Sequence, residues 1–161
     1  MPAERPTHPS TGKVLNAARQ RGLTIEVHHF PEGTRTAQEA AQAVGASLGQ
    51  IAKSMVFMAD GKPVLVLTSG PNRVDAGKVA RQLGARQVRR ASPDEVRQAT
   101  GFAIGGVPPF GHTRRLTVLF DRDLLEFDTV WSAAGTPNAI FPIEPGRLVE
   151  ASGAVLADVK E

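Results

Sequence analysis

Residues 54–70, SMVFMADGKPVLVLTSG, are the stretch from which the fold of this 161-residue chain can be worked out. Two apolar runs flank Asp60-Gly61, and an Asp-Gly pair in that setting is a strong local signal of a β-hairpin. The two predicted strands, 54–59 and 63–69, are mostly apolar, so both of their faces should be covered. We therefore expect the hairpin at the centre of a sheet.

Helix and strand signals follow one another irregularly on both sides of this hairpin. Ser10 or Thr11 is predicted to cap a first helix that Gly22 closes, and Thr36, Asn72 and Ser92 are predicted to cap later helices. A further short helix is predicted at 145–153. Further strands are predicted at 24–30, 86–90, 115–121, 129–135, 138–143 and 155–159. This mixture without strict alternation predicts an α/β or α+β fold with a mixed sheet. A single domain, 11–161, would follow a flexible tail, 1–10.

Composition excludes several classes of chemistry. The chain has no cysteine, and its longest apolar runs are too short to span a bilayer. His28 and His29 are adjacent, so on a strand they point to opposite faces and cannot chelate one metal ion. No serine lies in a G-x-S-x-G elbow. We expect a cytoplasmic protein with no metal and no cofactor, and with neither membrane nor DNA as a partner.

The basic residues are unevenly distributed, although the formal net charge is only +3. Five arginines fall within residues 81–97, and two more follow at 114 and 115. This cluster fits a solvated face or a surface that follows the phosphates of a polyanion, and the sequence favours neither.

Residues 101–112, GFAIGGVPPFGH, form a segment too broken for a helix and too apolar for a linker. Such a loop can present rigid backbone N–H groups at one place, and Gly105, Gly106 and Val107 are the candidate donors to a developing oxyanion. The alternative is a tightly packed connection with no chemical role. Lys53 is the other unusual residue, since it lies directly before the apolar strand at 54–59.

Lys53 in IAKSMVF, the hairpin, LTSGPNRVDAGKVARQLG and TGFAIGGVPPFGH together resemble the YbaK/EbsC family of aminoacyl-tRNA deacylases. That family is similar to the editing insertion domain of bacterial prolyl-tRNA synthetases. The resemblance covers residues 20–160 and implies a curved, largely antiparallel mixed sheet flanked by helices. It implies a hydrolase that acts on mischarged aminoacyl-tRNA, with an aminoacyl-tRNA synthetase as a further candidate partner.

The resemblance also implies residue roles. Lys53 would hold the terminal adenosine, and the G-x-x-x-P loop would hold the ester carbonyl, so that no nucleophilic side chain is needed. The loop and pocket candidates are Gly105, Gly106, Val107, Pro108, Pro109, Thr36, Phe57, Ser69, Gly111, His112, Gly135, Thr136 and Asn138.

The expected substrate carries a small amino acid: Cys, Ala, Ser, Thr or 2-aminobutyrate. Two alternatives remain, a non-catalytic module that binds tRNA or a nucleotide in a regulatory role, and a hydrolase of small amino-acid esters.

Overall fold

The predicted hairpin forms and lies in the middle of a mixed sheet. The computed structural model describes residues 8–30 and 36–161. Within them the strands, numbered in chain order, are β1 (His28–His29), β2 (Ile51–Ala59), β3 (Lys62–Ser69), β4 (Val88–Arg90), β5 (Thr117–Asp121), β6 (Val130–Ala133), β7 (Ala139–Ile143) and β8 (Val155–Ala157). Their order across the sheet is β1-β7-β6-β2-β3-β5-β8, and β4 also pairs with β2.

The sheet contains both pairing directions. Antiparallel ladders join β2 to β3, β2 to β4, β6 to β7 and β1 to β7. Parallel ladders join β2 to β6, β3 to β5 and β5 to β8. The predicted fold class, a mixed α/β sheet flanked by helices, is confirmed.

The helices are α1 (Pro9–Gln20), α2 (Ala37–Val44), α3 (Ala76–Leu83), α4 (Pro93–Thr100) and α5 (Pro145–Ser152). Single turns of 3₁₀ helix cover Leu48–Gln50 and Arg122–Glu126. The predicted caps Thr36 and Ser92 are confirmed, because each side chain accepts a hydrogen bond from the backbone N–H three residues later. None of the helices in the described ranges is long and apolar enough to cross a membrane.

The start of α1 differs from the prediction, whereas its end agrees with it. Its N-cap is His8, whose Nδ1 accepts a hydrogen bond from Ser10 N–H at 3.0 Å, and Pro9 takes the first helical position that proline favours. The helix runs to Gln20 and is closed by Gly22 as predicted, because Gly22 has φ +74° and its N–H donates to Arg19 O at 3.0 Å. Most of the predicted tail, residues 1–7, lies outside the described residues.

Two further predictions were wrong. The strand expected at 24–30 is reduced to His28–His29, because β1 is an edge strand that meets β7 at these two residues only. The cap of α3 is Asp75 and not Asn72. The helix begins at Ala76 rather than at Arg73, so Asn72 lies before its cap, and the Asn72 Nδ2 donates to the carboxylates of Asp121 and Asp123.

The core lies on both faces of β3, as the apolar hairpin predicts. Leu65 and Leu67 are fully buried on one face against α1 and the aromatic residues of the loop after α4. Val64 and Val66 are buried on the other face against α3. Both faces of β3 are therefore covered, whereas residues 53–55 of β2 are only partly buried.

The outer edge of β2 is left partly unpaired. β6 pairs with β2 only at Ile51 and Ala52, and β4 pairs with it from Phe57 onward. Between them, Val56 C=O accepts a hydrogen bond from Ala91 N–H at 3.0 Å. Among the described residues, no strand pairs with 53–55 on this edge. Because backbone groups alternate in direction along a strand, the N–H and C=O of Ser54 point to the same edge as Val56 C=O.

Candidate active site

A cavity of about 270 Å³ lies at this unpaired edge of β2. Its walls come from the start of α2, from β2, from the loop after α4 and from the β6–β7 hairpin. The lining residues are Thr36, Ala37, Ala40, Ile51, Ala52, Lys53, Ser54, Met55, Ile104, Gly105, Trp131, Ala133, Pro137 and Ile140. The walls are therefore mostly apolar, with a few polar groups from β2 and α2.

Lys53 is the charged residue among those lining this cavity. It is half-buried, and its Nζ donates a hydrogen bond to the backbone oxygen of Asn72 at 2.9 Å. Burial lowers the pKa of Lys53 below its ordinary value, and the nearby guanidinium groups of Arg73 and Arg90 lower it further. Since an ammonium has three N–H donors, two of them remain for a ligand.

A hydrogen-bonded network behind Lys53 fixes the position of Asn72. Asn72 Nδ2 donates to Asp121 Oδ2 at 2.7 Å and to Asp123 Oδ2 at 2.8 Å. Asp121 is 3% exposed, and its Oδ2 also accepts hydrogen bonds from Thr68 Oγ1 and the Ser69 N–H. The carbonyl that binds Lys53 is thus held by a buried carboxylate, an arrangement that no local motif in the sequence predicts.

The glycine-proline loop reaches the cavity through Ile104 and Gly105 only. Gly105 has φ +87°, a conformation that other residues rarely adopt, and among the described residues its N–H makes no hydrogen bond. The Gly106 N–H, a predicted donor to the substrate, instead donates to Ala103 O at 3.0 Å. Val107 is 1% exposed and belongs to the core. Of the three predicted donors, Gly105 is the one that lines the cavity.

Gly106 instead allows two loops to approach each other closely. A Cβ at this position would lie 2.7 Å from Thr136 Cα and 2.9 Å from Gly135 C, and neither backbone atom can move away easily. Pro108 and Pro109 continue the buried part of the loop. The motif therefore combines one residue in the cavity with several that hold the loop in place.

The other predicted pocket residues are only partly brought together. Thr36 lines the cavity. Phe57 and Ser69 do not line it: Phe57 packs on the α3 face of the sheet, and the Ser69 hydroxyl donates to Gly49 O at 2.6 Å. Gly111 and His112 line a different pocket, and His112 Nε2 lies 2.7 Å from Pro108 O.

The β6–β7 hairpin contributes different residues from those predicted. Gly135 packs against the start of α1, and the backbone oxygens of Thr136 and Asn138 accept hydrogen bonds from Ala139 and Phe30. Ala133 and Pro137 are the residues of this hairpin that line the cavity.

Sequence reasoning missed the apolar walls and Ser54. Trp131 and Ile140 come from strands that were predicted, but their meeting with β2 depends on the order of strands in the sheet. The Ser54 hydroxyl is buried, and within the described part of the chain it has no hydrogen-bond partner. A signal was present in the polar Lys53-Ser54 pair inside an otherwise apolar strand.

Comparisons with known proteins show the family to which the chain is similar. A family model described as an aminoacyl-tRNA editing domain matches residues 31–151. The uncharacterized protein YwhH of Bacillus subtilis (strain 168) is 38% identical over 128 residues, which are 79% of this chain and 81% of YwhH. The crystal structure of a proposed trans-editing enzyme for prolyl tRNA synthetase superposes with a TM-score of 0.92 and 49% identity, covering 97% of this chain and 99% of that one.

Proline–tRNA ligases are also similar over part of their length. The ligase of Limosilactobacillus fermentum is 37% identical over 97 residues, which are 57% of this chain and 17% of the ligase. This chain therefore corresponds to a small part of such a ligase. With the family model covering most of the chain, the protein belongs to the aminoacyl-tRNA editing domain family.

Proposed function

We propose that the protein hydrolyses the ester bond that joins a small amino acid to the terminal adenosine of mischarged tRNA. The observation that carries this proposal is the meeting of Lys53 and Gly105 in one mostly apolar cavity. Lys53 supplies a positive charge, and Gly105 supplies an N–H that has no hydrogen-bond partner within residues 8–30 and 36–161. The family match and the likeness to a proposed trans-editing enzyme support the same reaction.

Lys53 and Gly105 each have a place in this reaction. The two remaining Lys53 donors bind a phosphate or ribose oxygen of the adenosine. The Gly105 N–H donates to the ester carbonyl and stabilises the negative charge that develops there. Water is the nucleophile, and a ribose hydroxyl of the substrate assists it. No protein side chain forms a covalent bond.

The size and lining of the cavity favour a small amino acid. At about 270 Å³ it is slightly below the usual range of ligand pockets, about 300–1,000 Å³. Alanine, isoleucine and tryptophan side chains form most of the wall, while the Ser54 hydroxyl is the nearby polar group with no partner among described residues. Ala, Ser, Thr, Cys and 2-aminobutyrate are the substrates to compare. Synthetases separate such residues by only about 10–200-fold, which gives a second hydrolytic step its value.

The test is a deacylation panel in which tRNA is charged separately with each of these amino acids and with proline. Lys53→Ala should lower the rate about a hundredfold, because it removes the group that holds the terminal adenosine and so misplaces the ester bond in the cavity. Lys62→Ala, an exposed lysine at the start of β3, is the matched control and should keep the wild-type rate. If the wild-type protein releases none of these amino acids, or if Lys53→Ala hydrolyses normally, the proposal is wrong.

A second candidate is a module that binds the aminoacylated end of tRNA without hydrolysing it. The hydrogen bond between Lys53 and Asn72 O and the internal use of the Gly106 N–H favour it, since both reduce the groups free to act on a substrate. This candidate predicts salt-dependent binding of tRNA with every ester left intact. Hydrolysis of free amino-acid esters at the same rate as of aminoacyl-tRNA would instead indicate a small-molecule esterase. A tRNA substrate implies action in the cytoplasm.

A further inference from the structure

The structure divides the arginine cluster of residues 81–97 into residues with different environments. Arg89 forms a paired contact with Glu95, with Nη1–Oε1 at 2.7 Å and Nη2–Oε2 at 2.8 Å. These bonds hold the pKa of Glu95 down at about 2, so Arg89 has a permanent counter-charge. Arg86 lines a separate pocket beneath the central hairpin. Only Arg90 of this cluster lies beside the unpaired edge of β2.

Arg90 is placed there by β4. Its backbone is paired with Phe57, and the following residue donates its N–H to Val56 O. The side chain is exposed and lines a small cavity of about 40 Å³. That small cavity shares Ser54, Met55 and Ile104 with the main one. Arg90 therefore lies at the border of the candidate active site.

Arg73 approaches Lys53 from the β3 side. It directly follows Asn72, whose backbone oxygen accepts the hydrogen bond from Lys53 Nζ. Its own backbone oxygen accepts a hydrogen bond from the Glu161 N–H at 2.9 Å, which fixes the chain at this point, and its side chain is exposed. Among residues 8–30 and 36–161, no carboxylate forms an ion pair with Arg73 or Arg90.

We propose that Arg73 and Arg90, on either side of Lys53, bind the phosphates of the unpaired 3′ end of tRNA and guide it into the cavity. This inference rests on the proposed function, because a terminal adenosine held at Lys53 places the preceding phosphates at the mouth of the cavity. The electrostatic influence of both guanidinium groups on the Lys53 ammonium agrees with this arrangement. Arginine suits this role because it can contact a phosphate through two N–H groups at once.

A single-stranded RNA is the ligand these observations favour. The cavity is too small to hold more than the aminoacyl end and part of one nucleoside, so the rest of the chain must run over the surface. Each phosphate contact with a single strand contributes about 0.7 to the slope of log affinity against log salt concentration. The decrease in this slope when an arginine is replaced therefore gives the number of phosphates that the arginine contacts.

The experiment measures binding of an RNA microhelix with an unpaired 3′ end by fluorescence anisotropy between 50 and 200 mM KCl. Arg73→Gln and Arg90→Gln should each weaken binding about fivefold and reduce the salt slope by about 0.7. Arg81→Gln and Arg97→Gln are the controls, because these arginines of the same cluster line neither cavity and, unlike Arg73 and Arg90, are not among the charges that act on Lys53. A microhelix cut back to a blunt end should show no difference between any of the variants and the wild type.

Deacylation by the same variants separates this inference from the proposed function. Arg73→Gln and Arg90→Gln should raise KM about fivefold and leave kcat within twofold. Equal salt slopes for all four variants, or an equal loss with the blunt microhelix, would overturn the role of Arg73 and Arg90. Absence of hydrolysis by the wild-type protein refutes the proposed function alone, since the slopes still decide whether the two arginines bind the RNA end.

Discussion

Replacing Asp121 by alanine tests whether the network behind Lys53 stabilises the protein and positions the site. Asp121 Oδ2 accepts hydrogen bonds from Thr68 Oγ1, the Ser69 N–H and Asn72 Nδ2, and the first two donors are 0% and 2% exposed at the residue level. An unsatisfied buried donor costs about 1–3 kcal/mol, so leaving both the Thr68 hydroxyl and the Ser69 N–H without their acceptor should cost roughly 4 kcal/mol. For a chain of about this length, 1 kcal/mol lowers Tm by about 2–4 °C. The expected decrease is therefore on the order of 8–16 °C.

The assay is thermal unfolding followed by circular dichroism, with Asp128→Ala as the control. Asp128 is an exposed carboxylate, and its removal should change stability by less than about 0.5 kcal/mol. Asp121→Asn keeps one acceptor oxygen and should fall between alanine and the wild type. A decrease in Tm for Asp121→Ala that is no larger than that for Asp128→Ala would refute the reasoning. At a temperature where all variants are folded, Asp121→Ala should also deacylate more slowly, because Asn72 no longer positions Lys53.

Three further predictions concern Gly106 in the glycine-proline loop and the two partly buried bases, His112 and Lys53. Gly106→Ala should cost roughly 1–3 kcal/mol in urea unfolding, because its Cβ would meet backbone 2.7 Å away, whereas Gly12→Ala has nothing within 4 Å and should be neutral or stabilising. Burial lowers the pKa of His112, so its stability contribution is present above about pH 6.5 and is lost as pH falls through the lowered folded value. His112→Gln should remove that part of the pH dependence. Lys53 loses its charge as the pH rises through its lowered pKa. After subtraction of spontaneous hydrolysis, the rate of enzymatic deacylation should therefore fall at a pH below the pKa of a free lysine.

The parts of the fold that depend on local chemistry could be predicted from the sequence. Asp60-Gly61 predicts its hairpin because few residues adopt the required positive φ, and Asp60 does so here at +49°. Ser92 and Glu95 predict the start of α4 because they satisfy each other's backbone N–H groups. In each case the residues that decide the structure are neighbours in the chain.

The parts that depend on distant residues could not be predicted in the same way. Asn72 is a residue type that often caps helices, but α3 begins only at Ala76, and the Asn72 Nδ2 donates to two carboxylates about 50 positions away in the chain. Phe57 and Ser69 lie in the predicted hairpin, yet which of its faces and edges meets the cavity depends on where β4 and β6 pair. His112 was placed with the loop by sequence proximity, while the loop turns it into another pocket. Lys53 and Gly105, which the sequence singles out as unusual, both line the cavity, and their chemical roles stay a prediction.

The cavity at the edge of β2 has a consequence for the order in which the protein becomes complete during synthesis. Its walls come from residues 36–55, from Ile104 and Gly105, and from 131–140, so they are separated by up to about a hundred positions. Contacts between such distant segments form slowly, since the loop between them must close first. The central hairpin can form as soon as it leaves the ribosome, but the pocket does not exist until β6 and β7 have been made. A growing or truncated chain that lacks these strands would carry Lys53 and the glycine loop without the space between them.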